Sequence, residues 1–278
     1  MNLAEQMTRW AERQRSVNAL WLIGSQVRAT RDVVERADAQ SDWDFQIVTS
    51  LPERFATAAW TSELGLRVVN YAVRRAAISG LPKVAVRFAT AEADLVVLPA
   101  GRLRFARWAV RLGWHRRSAG LRRSLQDLAV VIRPGWRMLK GGPAWQAFCE
   151  RVVAEVPDPR LSDAAARNLA EGFVCDAIWV ERKIDRGEWL AAQRMLHRSL
   201  AETNFQLLHE LKLRCGERSF PEARRAERVL PAAERAMIAV AARPEPGDLR
   251  AALEMSATTC RALMQALVGA TWQWPETP

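Results

Sequence analysis

"LWLIGSQVRAT" (residues 20–30) runs an apolar stretch straight into Gly24 and Ser25, and "SDWDFQIVTS" (residues 41–50) follows after a polar interval. The first stretch, extended back to "NALWLIG", reads as a buried strand that stops at Gly24, because a short apolar run meeting a glycine marks a strand end. The second alternates with a period of two. As a strand it places Asp42, Asp44 and Gln46 on one face and Trp43, Phe45 and Ile47 on the other, so the tryptophan between the acids is a core residue.

Two carboxylates two residues apart on a strand have Cα atoms about 7 Å apart. That spacing suits two metal ions that share a ligand, since paired catalytic ions sit about 3.5–4 Å apart. Magnesium and similar hard cations take oxygen ligands, so carboxylates must converge on them from rigid elements. The Gly-Ser turn answers the companion requirement. Gly24 lets the backbone approach a phosphate, Ser25 offers an amide and a hydroxyl, and Arg28 reaches the phosphates from the following loop. Asp94, in "ADLVVLP" (residues 93–99), becomes a third acid if its strand lies beside the one carrying Asp42 and Asp44. There it would bind a metal near an attacking hydroxyl or take that hydroxyl's proton as general base.

The surrounding pattern predicts a helix over residues 3–16, another over 52–62, and strands at "RVVNYAV", "KVAVRFA" and "ADLVVLP", which together make a mixed sheet with flanking helices. "KGGPAW" (residues 140–145) breaks any periodic element and sets a domain junction, giving 1–142 and 143–278. Beyond it the chain reads as an α-helical bundle. Phe173, Ala177, Val180 and Ile184 follow one helix face, a second long helix carries Leu196, Leu200, Leu207 and Leu211, and two more helices lie near 221–242 and 247–270. The fold class is therefore α+β, with a helical C-terminal half.

Composition narrows the function. The 278 residues are 49% hydrophobic and 26% charged, and no apolar run approaches the roughly 18 residues of a membrane span. No membrane partner is expected. "MNLAEQMTRWAERQRS" has the spacing of an amphipathic helix and no signal core, which points to a cytoplasmic protein. The four cysteines form no paired motif and read as reduced, mostly buried thiols, so neither a zinc site nor a disulfide framework is indicated. A net charge of +10 admits a nucleic-acid partner. Residues 102–140 hold eleven Lys or Arg against one acid, Asp127, with Trp108, Trp114 and Trp136 interspersed. We read them as a solvated cationic helix face with its tryptophans turned inward, and a groove for an anionic partner as the alternative. His115, His197 and His209 read as surface or packing residues, and Asp176 and Glu181 as solvated acids of the first bundle helix.

The order Gly-Ser, Asp-x-Asp and a strand-borne third acid resembles the nucleotidyltransferase superfamily that includes DNA polymerase beta. "GSQVRAT", "SDWDF", "ADLVVLP" and "GFVCDAIWVERKIDRGEWLAA" together are more closely similar to the aminoglycoside 6-adenylyltransferases that inactivate streptomycin. The resemblance implies that Gly24 and Ser25 hold the triphosphate of ATP, and that Asp42, Asp44 and Asp94 are catalytic and bind two Mg2+ ions, with Arg28 added as a nucleotide-binding residue from its place after the turn. It implies transfer of AMP to a hydroxyl of a small molecule, aminoglycoside-like, with a helical C-terminal domain that helps form the substrate pocket. Two features depart from the family. Gln26 stands where the family has Arg directly after Gly-Ser, and a protein at +10 repels a polycationic aminoglycoside, although screening over about 8 Å lets a local acidic pocket prevail. Transfer to RNA or protein, and a binding module without catalysis, are the alternatives. The presence of all three acids speaks against the last.

Overall fold

The computed structural model describes residues 2–28, 37–38, 40–76 and 80–275, and the chain divides into two units, Met1–Pro159 and Arg160–Pro278. No helix among the described residues is long and apolar enough to cross a membrane.

The first unit is built on a six-stranded sheet. Helix α1 (Leu3–Arg13) starts at a capping box in which the Asn2 side chain accepts from the Glu5 amide and the Glu5 carboxylate accepts from the Asn2 amide. It ends at Arg13, three residues short of the expected end, because Gln14 is already extended and β1 begins at Val17. The strands are β1 (Val17–Ile23), β2 (Trp43–Thr49), β3 (Val68–Arg75), β4 (Pro82–Phe88), β5 (Glu92–Pro99) and β6 (Trp136–Lys140), in spatial order β3-β4-β5-β2-β1-β6. Among the described residues only β2 and β5 pair in parallel, and every other neighbouring pair is antiparallel.

Alternation sorts the side chains into two cores. Leu20, Leu22, Phe45, Ile47, Val84, Val86, Leu95 and Val97 pack on one face with Met7 and Trp10 of α1 and with Phe55 and Trp60. Trp43 packs at the edge of the same cluster, as the strand period requires. Trp21, Ile23, Val48, Val96 and Leu98 pack on the other face against helices α2 (Ala100–Arg111), α3 (Ala119–Ile132) and α4 (Pro143–Glu155). The carboxylates of the candidate site lie on this second face.

Several expectations are corrected here. The helix over 52–62 is two 3-10 turns, Pro52–Ala56 and Ala58–Leu64, because Thr57 is extended between them. Strand β6 was not predicted, since five residues with interspersed Arg and Lys carry little period-two signal. It is held by β1 and by the Lys140 ammonium, which donates to the carbonyls of Ala11 and Gln14 at the end of α1. The glycines and proline of "KGGPAW" do break the chain, but α4 beyond them stays with the sheet. Trp145, Phe148, Cys149 and Val152 are buried beside Trp21, and the first unit runs on to Pro159. The tryptophans of the basic segment do not all turn inward: Trp108 is 48% and Trp114 43% exposed, and only Trp136 packs against the core.

The second unit is helical: α5 (Asp163–Asp185), α6 (Trp189–Met195), α7 (Ala201–Arg214), α8 (Ala226–Val229), α9 (Ala232–Ile238) and α10 (Pro246–Val268). Phe173, Ala177, Val180 and Ile184 of α5 are buried with Leu196, Leu200 and Leu207, as the helical period predicts, and with Leu249, Cys260, Leu263 and Met264 of α10. A π-turn over Leu196–Leu200 joins α6 to α7, and the region 221–242 is broken into short pieces. Glu210 is buried and held by Arg160, Arg214 and the Leu161 amide. Of the cysteines, Cys149 and Cys260 are buried while Cys175 and Cys215 are exposed, so half rather than most are core residues. Burial pushes both buried thiols up to about 12, which keeps them protonated.

Candidate active site

The site forms where the start of β2, the start of β5 and the end of β1 meet. The parallel register of β2 and β5 sets Asp44 directly beside Asp94. Asp42, just before β2, shares their face. One carboxylate oxygen from each of Asp42, Asp44 and Asp94 lies within 4.8 Å of the others. In the antiparallel register of β1 and β2, Ile23 pairs with Asp44, so Gly24 arrives against the Asp44 side chain. A Cβ on Gly24 would fall 2.3 Å from Asp44 Oδ2, and Gly24 has φ +78°. Glycine is therefore required twice, by the acid that fills its side-chain space and by its backbone conformation.

Ser25 opens a single 3-10 turn, Ser25–Val27, directly after Gly24, and is partly exposed there. Arg28 follows the turn, half-buried. Gln26, which stands where the resembled family has Arg, donates from Nε2 to the Ser41 carbonyl at 3.2 Å. It thereby ties the Gly-Ser turn to the residue before Asp42. Ser41 is fixed in turn by Asp38, whose carboxylate accepts from the Ser41 hydroxyl at 3.0 Å and from the Gln40 amide. An open polar cleft of about 400 Å³, lined by Gln26, Asp38, Ser41, Asp42, Arg87 and Glu92 among others, adjoins the triad.

The sheet contributes one residue that the sequence reading did not single out. Lys83 of β4 reaches to the neighbouring strand β5 and places its ammonium 2.5 Å from Asp94 Oδ2. The cross-strand partner of Asp94 on β4 is Ala85, whose small side chain leaves room for the lysine stem. Burial pulls the Lys83 ammonium down, but its hydrogen bond to Asp94 and the charges of Asp94, Asp44 and Asp42 outweigh it, and the net shift is upward. Burial pushes the Asp42 carboxyl up, and the charge of Asp94 adds to it. An acid that resists ionisation beside other carboxylates is a place ready for a cation.

A hard divalent ion fits this donor set, because three carboxylates converge within reach of one another and the site already draws in the ammonium of Lys83. Within the bundle, Asp176 accepts a hydrogen bond from the Ser199 hydroxyl and Glu181 is exposed. His115 is buried beside Glu155 and His209 bonds to Ser219.

No family model matches the chain, and no curated protein matches it. Among solved structures, it is similar to an aminoglycoside 6-adenyltransferase from Bacillus subtilis, with a TM-score of 0.40 and 11% identity over 99% of this chain and 94% of that one. It is also similar to a nucleotidyltransferase-like protein from Exiguobacterium sibiricum, with a TM-score of 0.36 and 11% identity over 95% and 75% of the two chains.

Proposed function

We propose that the chain is a metal-dependent nucleotidyltransferase that moves AMP from ATP to a hydroxyl of a small molecule. The observation that carries this reading is the convergence of Asp42, Asp44 and Asp94 beside the Gly24-Ser25 turn. Asp42, Asp44 and Asp94 would hold divalent ions, Mg2+, which would supply neutralisation of phosphate charge. Gly24 and Ser25 present backbone amides and a hydroxyl to the triphosphate, and Arg28 adds positive charge.

Nucleotidyl transfer asks mainly for positioning and electrostatic stabilisation. The acceptor oxygen attacks the α-phosphorus, the bond from that phosphorus to the bridging oxygen breaks, and pyrophosphate leaves. The hydroxyl proton passes to Asp94, whose Oδ2 is already engaged by Lys83, so Oδ1 is the receiving atom. Acceptor recognition is assigned to the helical part of the chain, as the family resemblance implies, and an aminoglycoside-like acceptor is the first candidate. The test is incubation with α-labelled ATP and Mg2+ together with aminoglycosides and other polyhydroxylated amines. Labelled acceptor and released pyrophosphate support the reading; no label on any acceptor and no pyrophosphate release count against it.

One observation favours a second acceptor class. Phe105, Trp108 and Trp114 form an exposed aromatic cluster, with Trp108 and Trp114 ring centroids 4.7 Å apart. Arg104, Arg107, Arg111 and Arg151 line a groove beside Trp108. Arginines interleaved with aromatic rings are the equipment of single-stranded nucleic-acid binding. If RNA is the acceptor, its affinity falls with salt at a logarithmic slope of about −0.7 per phosphate contacted, and reversing Arg104, Arg107 and Arg111 to Glu abolishes both binding and transfer. If small-molecule transfer survives those reversals, RNA is not the acceptor.

A further inference from the structure

We infer that the outer face of α2 docks on an anionic phospholipid bilayer, its apolar side chains entering the interface while its arginines meet the lipid phosphates. This goes beyond the proposed function and does not rest on it, and it gives that face a lipid partner in place of RNA. No spanning helix is needed, because an interfacial helix is held from one side.

Helix α2 is apolar on two faces. Leu103 and Val110 are buried in the core on the sheet, while Phe105, Trp108 and Leu112 are 55%, 48% and 51% exposed. At 3.6 residues per turn the three exposed side chains fall within an arc of about 60°, so they form one outward ridge. Arg104 and Arg111 flank the ridge on one side and Arg102 on the other, all exposed. Left-handed Gly113 then turns the chain, and Trp114 packs edge to face on Trp108 and lengthens the ridge. Between residues 100 and 126 there are eight arginines and no Asp or Glu. Glu155 takes up Arg116 and Arg151, and Arg107 lies over the Trp145 ring. Among the described residues no ion pair engages Arg102, Arg104 or Arg111. Tryptophan and other apolar residues rimmed by arginine are what an anionic bilayer surface binds.

Two features select lipid over a polynucleotide. The rings meet at steep angles, 74° for Trp108 with Trp114 and 69° for Phe105 with Trp114, so they make a packed knob rather than parallel platforms for bases. Beside the ridge lies a slot of about 230 Å³ between α2 and α3, lined by Leu81, Leu98, Leu103, Leu121, Leu125 and Leu128, with Phe105 and Arg102 also on its wall. A leucine-lined slot with an arginine beside it matches an acyl chain and its phosphate.

The test is flotation of the intact protein with vesicles of phosphatidylglycerol and phosphatidylcholine, beside vesicles of phosphatidylcholine alone. The protein should float with the anionic vesicles and stay behind with the neutral ones. Lipids brominated in the acyl chain should quench its tryptophan fluorescence, and binding should weaken as salt rises. Phe105→Ser with Leu112→Ser keeps every charge and should lower vesicle partition at least ~10-fold. Arg102→Gln with Arg104→Gln and Arg111→Gln keeps the ridge and should lower it about 100-fold, at roughly fivefold per arginine. All five side chains are exposed, so both variants keep the fold. Failure of the wild type to float with anionic vesicles overturns the inference, and binding of polyuridylic acid in that case returns the face to RNA. Undiminished partition in either variant also overturns it, because the ridge and the arginines would then not act together.

Discussion

The Asp44 carboxylate fills the space in which a side chain on residue 24 would begin, at 2.3 Å from an ideal Cβ. Gly24→Ala must therefore displace Asp44, and it also forces alanine into φ +78°, a conformation that costs about 1–3 kcal/mol in residues other than glycine. The expected result is a lower melting temperature together with a loss of at least ~10-fold in Mn2+ affinity, equivalent to about 1.4 kcal/mol. Thermal unfolding and Mn2+ titration check the two parts separately. Wild-type Mn2+ affinity in a destabilised Gly24→Ala would show that the glycine does not seat the metal ligand.

Asp42 gives a prediction with opposite signs for stability and activity. Its folded pKa is raised, chiefly by burial and then by Asp94, so the native state holds the proton more tightly than the unfolded chain does. Ionising it costs stability as pH rises from the ordinary carboxylate value of about 3.9 through the folded value. Without divalent ions, Asp42→Asn should raise the melting temperature at pH 7 and leave it unchanged at a pH well below about 3.9. Transfer should fall at least ~10²-fold, the scale of losing one electrostatic contact to a transition state. Scanning calorimetry in chelator at both pH values, beside an activity assay, reads all of this.

The bundle has its own acid-sensitive point. Burial acts to raise the Glu210 carboxyl, but hydrogen bonds from Arg160, the Leu161 amide and Arg214 outweigh it and hold it below the usual range. A depressed carboxylate adds stability that is present above its unfolded value of about 4.3 and is lost as pH falls from there through the folded pKa. Glu210→Ala should cost roughly 2–3 kcal/mol, less than the 3–5 of a fully buried pair because Arg160 keeps solvent contact. Urea unfolding at pH 7 and at acid pH should show the difference between variant and wild type shrinking as pH falls.

Truncation separates the two candidate domain ends. A chain ending at Gly142 removes α4 and with it Trp145, whose ring lies 6.4 Å from that of Trp21 in the sheet core. Loss of one such tryptophan costs about 3–5 kcal/mol, and Phe148 and Val152 leave as well, so this chain should not fold. A chain ending at Pro159 keeps the sheet unit whole and should fold, bind Mn2+ and fail to transfer to an acceptor. Circular dichroism and Mn2+ titration of both chains decide it.

The sequence reading reached the parts of the site that local periodicity encodes. Asp42 and Asp44 are on one face because a strand repeats every two residues, and Gly24 ends β1 because glycine interrupts an apolar run. What it could not encode is adjacency. Asp94 meets Asp44 only because β5 pairs in parallel with β2 across two intervening strands. Lys83 joins them only because β4 lies on the far side of β5, and a lysine at the start of "KVAVRFA" carries no local mark of that. The outward turn of Trp108 and Trp114 has a related cause. Trp108 and Trp114 have the hydrophobicity of core residues, and α2 already satisfies the sheet with Ala100, Leu103, Ala109 and Val110. Gly141 and Gly142 stand between β6 and α4, and whether the helix that follows belongs with the sheet or the bundle depends on packing partners far away in sequence.

Anomalous diffraction from crystals soaked with Mn2+ and a non-hydrolysable ATP analogue tests the central claim most directly, because it locates the metal and the triphosphate together. The account predicts an anomalous peak among the carboxylates of Asp42, Asp44 and Asp94, with phosphate density against the Gly24-Ser25 turn, and loss of that peak in Asp44→Asn. An anomalous peak elsewhere, or nucleotide bound with no metal at these three residues, would contradict it.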